Sequence, residues 1–214
     1  MILTPICPDD LAGALDRFGV GLHDGASRRV FHQIRATSSD RAEGPEAERH
    51  RLVALALAQT CGMAAHPPGV QCLFNWDGAA LNGATEAYVI LHEIAHFVLA
   101  PPERRRLVDF GLGPGPDTID PDKAERATVL SLLARAEEEA EASLLGIVWE
   151  ARLDQPALAS FLDQNWLEGL ERSAAGHFCN VVEGLQRRAL LGPLPRSAAV
   201  VSGTSSATLT SQQD

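Results

Sequence analysis

The chain has 214 residues, of which 28 are acidic and 18 are lysine or arginine, giving a formal net charge of −10 at pH 7. A general nucleic-acid-binding protein needs a basic face to neutralise phosphates, so this charge balance argues against that class. The four cysteines form no Cys-x-x-Cys pair, the N-terminus lacks a basic segment followed by a long apolar run, and no apolar window is long enough to span a bilayer. We therefore expect a reduced, cytoplasmic protein without a transmembrane segment, built as one catalytic domain.

The residue pattern over 8–61 predicts two helices separated by a short strand and a loop. Apolar residues at helical spacing after Asp9 and Asp10 predict a short capped helix over 8–18. A short strand is expected over 19–25 and a loop over 36–46, where serine, glycine and proline are frequent. A helix follows over 47–61, with Leu52, Leu55, Leu57 and Ala58 on its apolar face.

A strand and a metal-binding helix are predicted next. The segment Gly69 to Trp76 has β-branched and aromatic residues between turn signals and is the best strand candidate. The apolar run that follows predicts a helix bounded by Thr85-Glu86 upstream and Pro101-Pro102 downstream, since proline cannot continue a helix.

That helix carries His92-Glu93-Ile94-Ala95-His96. At 3.6 residues per turn the two histidines lie about 40° apart on one face, so that both imidazoles can reach one ion. Glu93 projects to the other side of His96, which suits a base or a partner of metal-bound water. Because the surrounding residues are almost all apolar, unpaired histidines would be costly here, and this favours a metal site over two surface histidines.

Helices dominate the rest of the chain. A segment rich in glycine and proline between Leu112 and Pro121 is a candidate active-site loop. One long helix or two broken ones are expected over 123–151, and further helices over 157–172 and 174–190. The buried stripe of the 123–151 region is expected to consist of Leu133, Ala136, Ala140, Leu144 and Ile147. Residues 197–214 are rich in serine and threonine and predict a disordered tail. The expected fold is α+β, a mainly helical single domain over 1–196 with a small β-sheet and a zincin-like metal-site helix.

A third protein ligand is sought in the acidic run Glu137-Glu138-Glu139-Ala140-Glu141. Helical angles predict that Glu138 is solvated, whereas Glu137 and Glu139 lie on opposite flanks of the apolar face. A solvated helix face is an equally good interpretation of the run from pattern alone. Two histidines and a carboxylate fit both a zinc site and a two-His-one-carboxylate iron site.

The chain resembles the elongation factor P hydroxylases, a family of non-haem metal-dependent oxygenases. The similarity covers about residues 84–150 and is carried by Leu91-His92-Glu93-Ile94-Ala95-His96, Ala100, Arg104-Arg105 and Leu107-Val108-Asp109-Phe110-Gly111, and then by Glu139 followed by Ala142, Leu144 and Leu145. The resemblance implies His92, His96 and Glu139 as metal ligands, with Glu93 close to the metal-bound water or oxygen species.

The chain departs from the family after Asp109-Phe110-Gly111. The family has an aromatic-rich stretch leading to Pro-Asp-Gly-Arg, whereas here Leu112-Gly113-Pro114-Gly115-Pro116-Asp117-Thr118 lacks the aromatics and the arginine. If those residues contact substrate in the family, this protein acts on a different one.

These observations predict a hydroxylase that uses Fe(II) and O2 on a protein side chain or a small molecule, without nucleic-acid or membrane partners. Glu93 would handle protons, and Asp109 is a candidate to orient a ligand imidazole, with a cap or an ion pair to Arg105 as the alternative. The runner-up is a zinc metallopeptidase that uses the same ligands, with Glu93 as general base. A metal-loaded regulatory module without turnover is a third interpretation, which an intact Glu93 disfavours.

Overall fold

The computed structural model describes residues 8–115, 118–168 and 173–195. Within them the chain forms eight α-helices: α1 Pro8–Val20, α2 Gly25–Arg35, α3 Gly44–Thr60, α4 Ala87–Leu99, α5 Pro121–Ala127, α6 Leu132–Arg152, α7 Ala157–Asp163 and α8 Ala174–Arg187. Two short strands, β1 Ala64–Ala65 and β2 Ala80–Leu81, and two 3-10 turns, Arg104–Arg106 and Val108–Gly111, complete the elements. The prediction of a mainly helical fold with a small sheet is confirmed.

The sheet is smaller than predicted and lies elsewhere. β1 and β2 pair in parallel, with Ala64 opposite Ala80 and Ala65 opposite Leu81. The strand predicted at Gly69 to Trp76 is wrong, because this segment runs as a loop in which only Trp76 forms a bridge, to Leu81. The strand predicted over 19–25 is also wrong, since α1 continues to Val20 and Asp24 caps α2, a helix that the sequence did not predict.

Helices α4 and α6 pack against each other at the centre of the fold. α4 is confirmed with the bounds that its flanking residues predict: Glu86 is extended before it, and Ala100 is extended before Pro101. Its apolar residues Ile90, Leu91, Ile94 and Ala95 have no exposed surface. Burial on nearly all sides, rather than amphipathicity, stabilises this helix.

The helical region over 123–151 is broken into α5 and α6. Ser131 ends the break, and its side chain accepts a hydrogen bond from the backbone N–H of Ala134 at the start of α6. The predicted stripe holds for Leu144 and Ile147, which are buried, but not for Leu133, which is 71% exposed, or for the exposed Ala136. The first half of α6 therefore does not present an apolar face to the core.

The remaining helices close the core around α4 and α6. α3 packs on α4, while α2, α7 and α8 pack on α6. Helices α1, α2, α7 and α8 also share an aromatic cluster of tilted, edge-to-face and stacked rings, formed by Phe18, Phe31, Phe161, Trp166 and Phe178. The helix predicted over 157–172 ends at Asp163, and the predicted tail over 197–214 lies outside the described residues. No helix of the described part of the chain is long and apolar enough to cross a membrane.

Candidate metal centre

Three predicted ligands meet where α4 crosses the first half of α6. His92 Nε2 and His96 Nε2 are 3.0 Å apart, and Glu139 Oε2 lies 3.5 Å from the first and 3.4 Å from the second. Glu139, and not the exposed Glu137, faces the histidines. The three donor atoms converge on one point, supplied by two helices.

The spacing of these donors suits a bound transition metal. An ion about 2.1 Å from each donor separates neighbouring donors by about 3.0 Å at right angles and about 3.4 Å at tetrahedral angles. The observed separations of 3.0, 3.4 and 3.5 Å cover this range. Two imidazoles and one carboxylate are also the donor set found in zinc and non-haem iron enzymes.

A glycine allows α6 to approach the histidine helix. A Cβ atom at Gly146 would lie 3.3 Å from both the backbone N and the Cα of His92, closer than most side chains tolerate. The two backbones are thus nearly in contact at the candidate ligand His92, about two helical turns after Glu139 on α6. This close approach positions Glu139 within reach of both imidazoles.

Glu138 fixes the orientation of His96 from the other side of the ring. The Nδ1 atom of His96 lies 3.4 Å from Glu138 Oε1, while the second oxygen of Glu138 accepts a hydrogen bond from the Arg104 guanidinium. The prediction that Glu138 is solvated is wrong, because its side chain is only 14% exposed and lies between these two partners. Carboxylates that bind the distal nitrogen of a ligand histidine commonly set its tautomer and direction.

The segment from Arg104 to Gly111 forms one wall of the centre. Arg104 is buried and also donates to the carbonyl of Phe110 at 3.3 Å, and the Phe110 ring stacks on His96 with centroids 5.7 Å apart. Both Asp109 and Phe110 have positive φ, at 43° and 54°, a conformation that is costly for residues other than glycine. The backbone N–H of Asp109 donates to the carbonyl of Trp76, which ties this strained turn to the preceding loop.

Asp109 faces the pocket rather than the distal nitrogen of His96, whose partner is Glu138. Its carboxylate accepts a hydrogen bond from the Thr118 hydroxyl at 3.2 Å, and Arg105 donates instead to the carbonyl of Ala100. Burial raises the pKa of Asp109 to about 6, against the lowering effect of Thr118. Because Arg105 donates to Ala100, the alternative ion pair between Asp109 and Arg105 is not formed.

Glu93 lies beside the ligands without being one of them. Its side chain is buried and lines the same pocket, to which Asn75 also contributes. Burial raises the pKa of the Glu93 carboxyl to about 8. A carboxyl group in this position is available to exchange a proton with a molecule bound next to His96.

The carboxylates and imidazoles of the site shift one another's pKa values. Burial opposes the charged form of every member, but the two histidines hold the pKa of Glu139 well below its usual range. Burial also disfavours the charged form of His96, yet hydrogen bonds to Glu138 and Glu139 raise its pKa to about 9. Burial lowers the pKa of His92. As folded, the positive charge of His96 balances the negative charge of Glu139, and a divalent cation bound to His96 Nε2 would take the place of that proton.

A cavity of about 310 Å³ opens in front of the three ligands. Its walls include Tyr88, Val89, Leu112 and Gln164, which come from three separate parts of the chain. The sequence did not predict Tyr88 and Gln164 as wall residues, because neither belongs to a motif. Leu112 and Gly113 confirm that part of the glycine-rich loop borders this site.

Two other polar side chains pack against aromatic rings. His177 stacks on Trp166, with centroids 5.4 Å apart, and Arg105 lies over the Phe97 ring. A second potential metal-binding group, His23, Asp24 and Cys179, brings its donor atoms within 4.8 Å of one another. One oxygen of Asp24 already caps α2 by accepting from the backbone of Ala26 and Ser27.

No family model, curated protein or solved structure matches the chain.

Proposed function

We propose that the protein is a non-haem, iron-dependent hydroxylase that uses O2 and holds Fe(II) with His92, His96 and Glu139. The substrate is a protein side chain or a small molecule that enters the cavity of about 310 Å³ in front of the ligands. The proposal includes a zincin-like role for α4, which carries two ligands and Glu93 on successive turns. The described cysteines are free, which agrees with a cytoplasmic location.

The contacts between the Arg104–Gly111 segment and the ligands carry this proposal. This segment is the most specific part of the resemblance to elongation factor P hydroxylases. In the fold it reaches His96 twice, through Arg104 and Glu138 on one side and through the stacked ring of Phe110 on the other. The segment thus supports this imidazole from two sides, as residues around a metal-binding histidine commonly do.

Each side chain of the site has a distinct task in this scheme. Bound Fe(II) supplies the one-electron chemistry needed to use O2. His92, His96 and Glu139 would hold the metal ion, and the cavity in front of them would admit the reactants. Glu93 and Asp109 line that cavity and can hold or release protons at their carboxyl oxygens. The Phe110 ring covers one face of the buried His96 imidazole and excludes water from it.

A zinc metallopeptidase is the second candidate, and the position of Glu93 favours it. The carboxyl group of Glu93 borders the ligands, as a general base for an attacking water must. The ligand set is the same in both candidates, so metal preference and reaction type separate them.

The test is to prepare the chain without metal, load it with one equivalent of Fe(II) or Zn²⁺, and measure O2 uptake and peptide-library cleavage. The hydroxylase proposal predicts O2 uptake with Fe(II) only, at a rate at least tenfold above a His92→Ala variant. Uptake should persist in Glu137→Ala, because that residue is exposed and is not near the ligands. Peptide cleavage with Zn²⁺ that requires Glu93, together with no Fe(II)-dependent O2 uptake, would replace the hydroxylase by the peptidase.

A further inference from the structure

A second, larger cavity of about 620 Å³ lies at the far end of α6. It is enclosed by the start of α3, the start of α4, the end of α6 and the residues that lead into α7. Glu150 on its wall follows Glu139 by eleven residues, which corresponds to about 16 Å along a helix. Tyr88 lines both cavities, so they are neighbours but distinct.

Three buried polar atoms in this wall have no hydrogen-bond partner within the described part of the chain: Glu150 Oε2, Gln155 Oε1 and His50 Nε2. Their residues are only 2%, 2% and 5% exposed. Among the described residues one other side-chain atom, the hydroxyl of Ser27, is buried in the same way. Unpaired buried polar atoms cost free energy, so their concentration around one cavity indicates that a polar ligand satisfies them.

The two arginines of the cavity already have anionic partners. The guanidinium of Arg41 lies 2.7 Å from the carboxylate of Asp163 and also donates to the Ser160 hydroxyl. The guanidinium of Arg51 lies 2.6 Å from the carboxylate of Glu48. The remaining carboxylates of the wall are Glu86 and Glu150, and Arg41 approaches Glu150 no closer than 3.7 Å. The cavity therefore has an excess of negative charge and offers acceptors rather than free cations.

We propose that this cavity binds a small aliphatic amine, whose ammonium group is held by Glu150 as counter-ion and by the Gln155 carbonyl oxygen. An ammonium group has three N–H donors and no acceptor, which suits a site where the unpaired atoms are acceptors. The Nε2 atom of His50 is a third acceptor when its proton is on Nδ1. A carboxylate ligand is disfavoured, because both arginines are already engaged.

A metal ion is a poorer occupant than an amine. Glu46 Oε1 lies 3.9 Å from His50 Nε2, but among the residues that the structure describes no group of three histidine, cysteine or carboxylate donors within metal-binding distance includes His50 or Glu150. Burial raises the pKa of Glu150 to about 7, although Ser160 and Arg41 lower it, as expected of a carboxyl group that lacks a close counter-ion. Burial also lowers the pKa of His50, so the imidazole is an acceptor and not a competing cation.

Calorimetric titration of the metal-free full chain with 1,4-diaminobutane at pH 8 tests this proposal, which does not depend on the function of the metal centre. We expect one molecule bound per chain, and no binding of 1,4-butanediol, which has the same length without charge. Glu150→Gln should weaken binding at least tenfold, and its melting temperature reports that it is folded. Glu183→Gln removes the same charge from an exposed position and should leave the affinity unchanged.

Equal affinity in Glu150→Gln and in the unaltered chain would overturn the proposal, since the diamine would then be attracted only by the net charge. Absence of any binding would also overturn it, and would assign the unpaired atoms to ordered water.

Discussion

His96 has more of the site's contacts than any other residue of the centre. Its Nε2 atom faces His92 and Glu139, its Nδ1 atom faces Glu138, and its ring lies against Phe110. Because both nitrogens face carboxylates, the direction of the ring is set before a metal binds. This preorganisation reduces the cost of assembling the site.

Glu138→Gln tests that preorganisation. The amide keeps the size of the side chain but loses the charge that faces His96 and Arg104, so metal affinity should fall by about 10- to 100-fold. Competition against a chelator of known affinity measures the change. Glu137→Gln removes the same charge one residue earlier, from an exposed side chain, and is the matched control. Equal affinities in the two variants would show that Glu138 has no role in metal binding.

At the residue scale, motifs predicted the three candidate ligands but not the residues that support them. His92, His96 and Glu139 converge as expected, since the histidine spacing fixes one face of a helix. Helical angles predict a solvated Glu138 side chain, because they are measured from an expected apolar stripe that includes Leu133 and Ala136. Both of those residues are exposed, and ion pairing with Arg104 decides the buried face of this half of α6 instead. A pairing between residues 34 positions apart cannot be deduced from periodicity.

At the element scale, the approach of α6 to α4 is decisive. Gly146 leaves the backbone of His92 room, and any larger side chain pushes the two helices apart. Displacement at Gly146 moves Glu139 relative to both imidazoles, because α6 runs without a break from Glu139 to Gly146.

We therefore expect Gly146→Val to weaken both folding and metal binding. Overpacking should lower the free energy of unfolding by about 1–3 kcal/mol, measured by urea denaturation, and metal affinity should fall at least tenfold. Gly13→Val is the control, because a Cβ there meets only the end of the flexible Arg17 side chain. Unchanged metal affinity in a folded Gly146→Val variant would contradict the role given to this contact.

Elements with local boundary signals were predicted, and those that depend on partners were not. α4 is bounded by Glu86 and by Pro101, and its position follows from the sequence. The predicted strand at Gly69 to Trp76 has suitable residues but finds no continuous partner, and the pairing falls instead on two-residue strands rich in alanine. Strand formation depends on contacts distant in sequence, which composition does not contain.

At the scale of the whole molecule, stability should depend on the ionisation of Glu150. Burial raises the pKa of this carboxyl to about 7 from a usual value of 4.5, although Ser160 and Arg41 lower it and Asp163 raises it. The folded state then binds the proton more tightly than the unfolded state. The stabilisation is full below pH 4.5 and is lost as the pH rises through about 7.

Glu150→Gln should remove this dependence. The neutral amide should raise the free energy of unfolding at pH 8 by up to roughly 3 kcal/mol relative to the unaltered chain, and by much less at pH 5. Urea denaturation at the two pH values measures the difference, with Glu183→Gln as the exposed control. An equal effect at pH 5 and pH 8 would mean that the buried carboxyl does not titrate as described.

The global character of the fold was easier to predict than its layout. Apolar periodicity gave a mainly helical chain with a small sheet, whereas the broken region before α6 and the capped helix α2 depend on local capping by Ser131 and Asp24. The second cavity could not be predicted, since Glu150, Gln155 and His50 come from separate parts of the chain that line one cavity only in the folded protein.

The central claim is that His92, His96 and Glu139 form one metal site, and Co(II) titration followed by visible absorption tests it most directly. We predict one Co(II) bound per chain, with d–d bands that are lost in Glu139→Ala and kept in Glu137→Ala. Bands that survive in Glu139→Ala, or that disappear equally in both variants, would contradict the account.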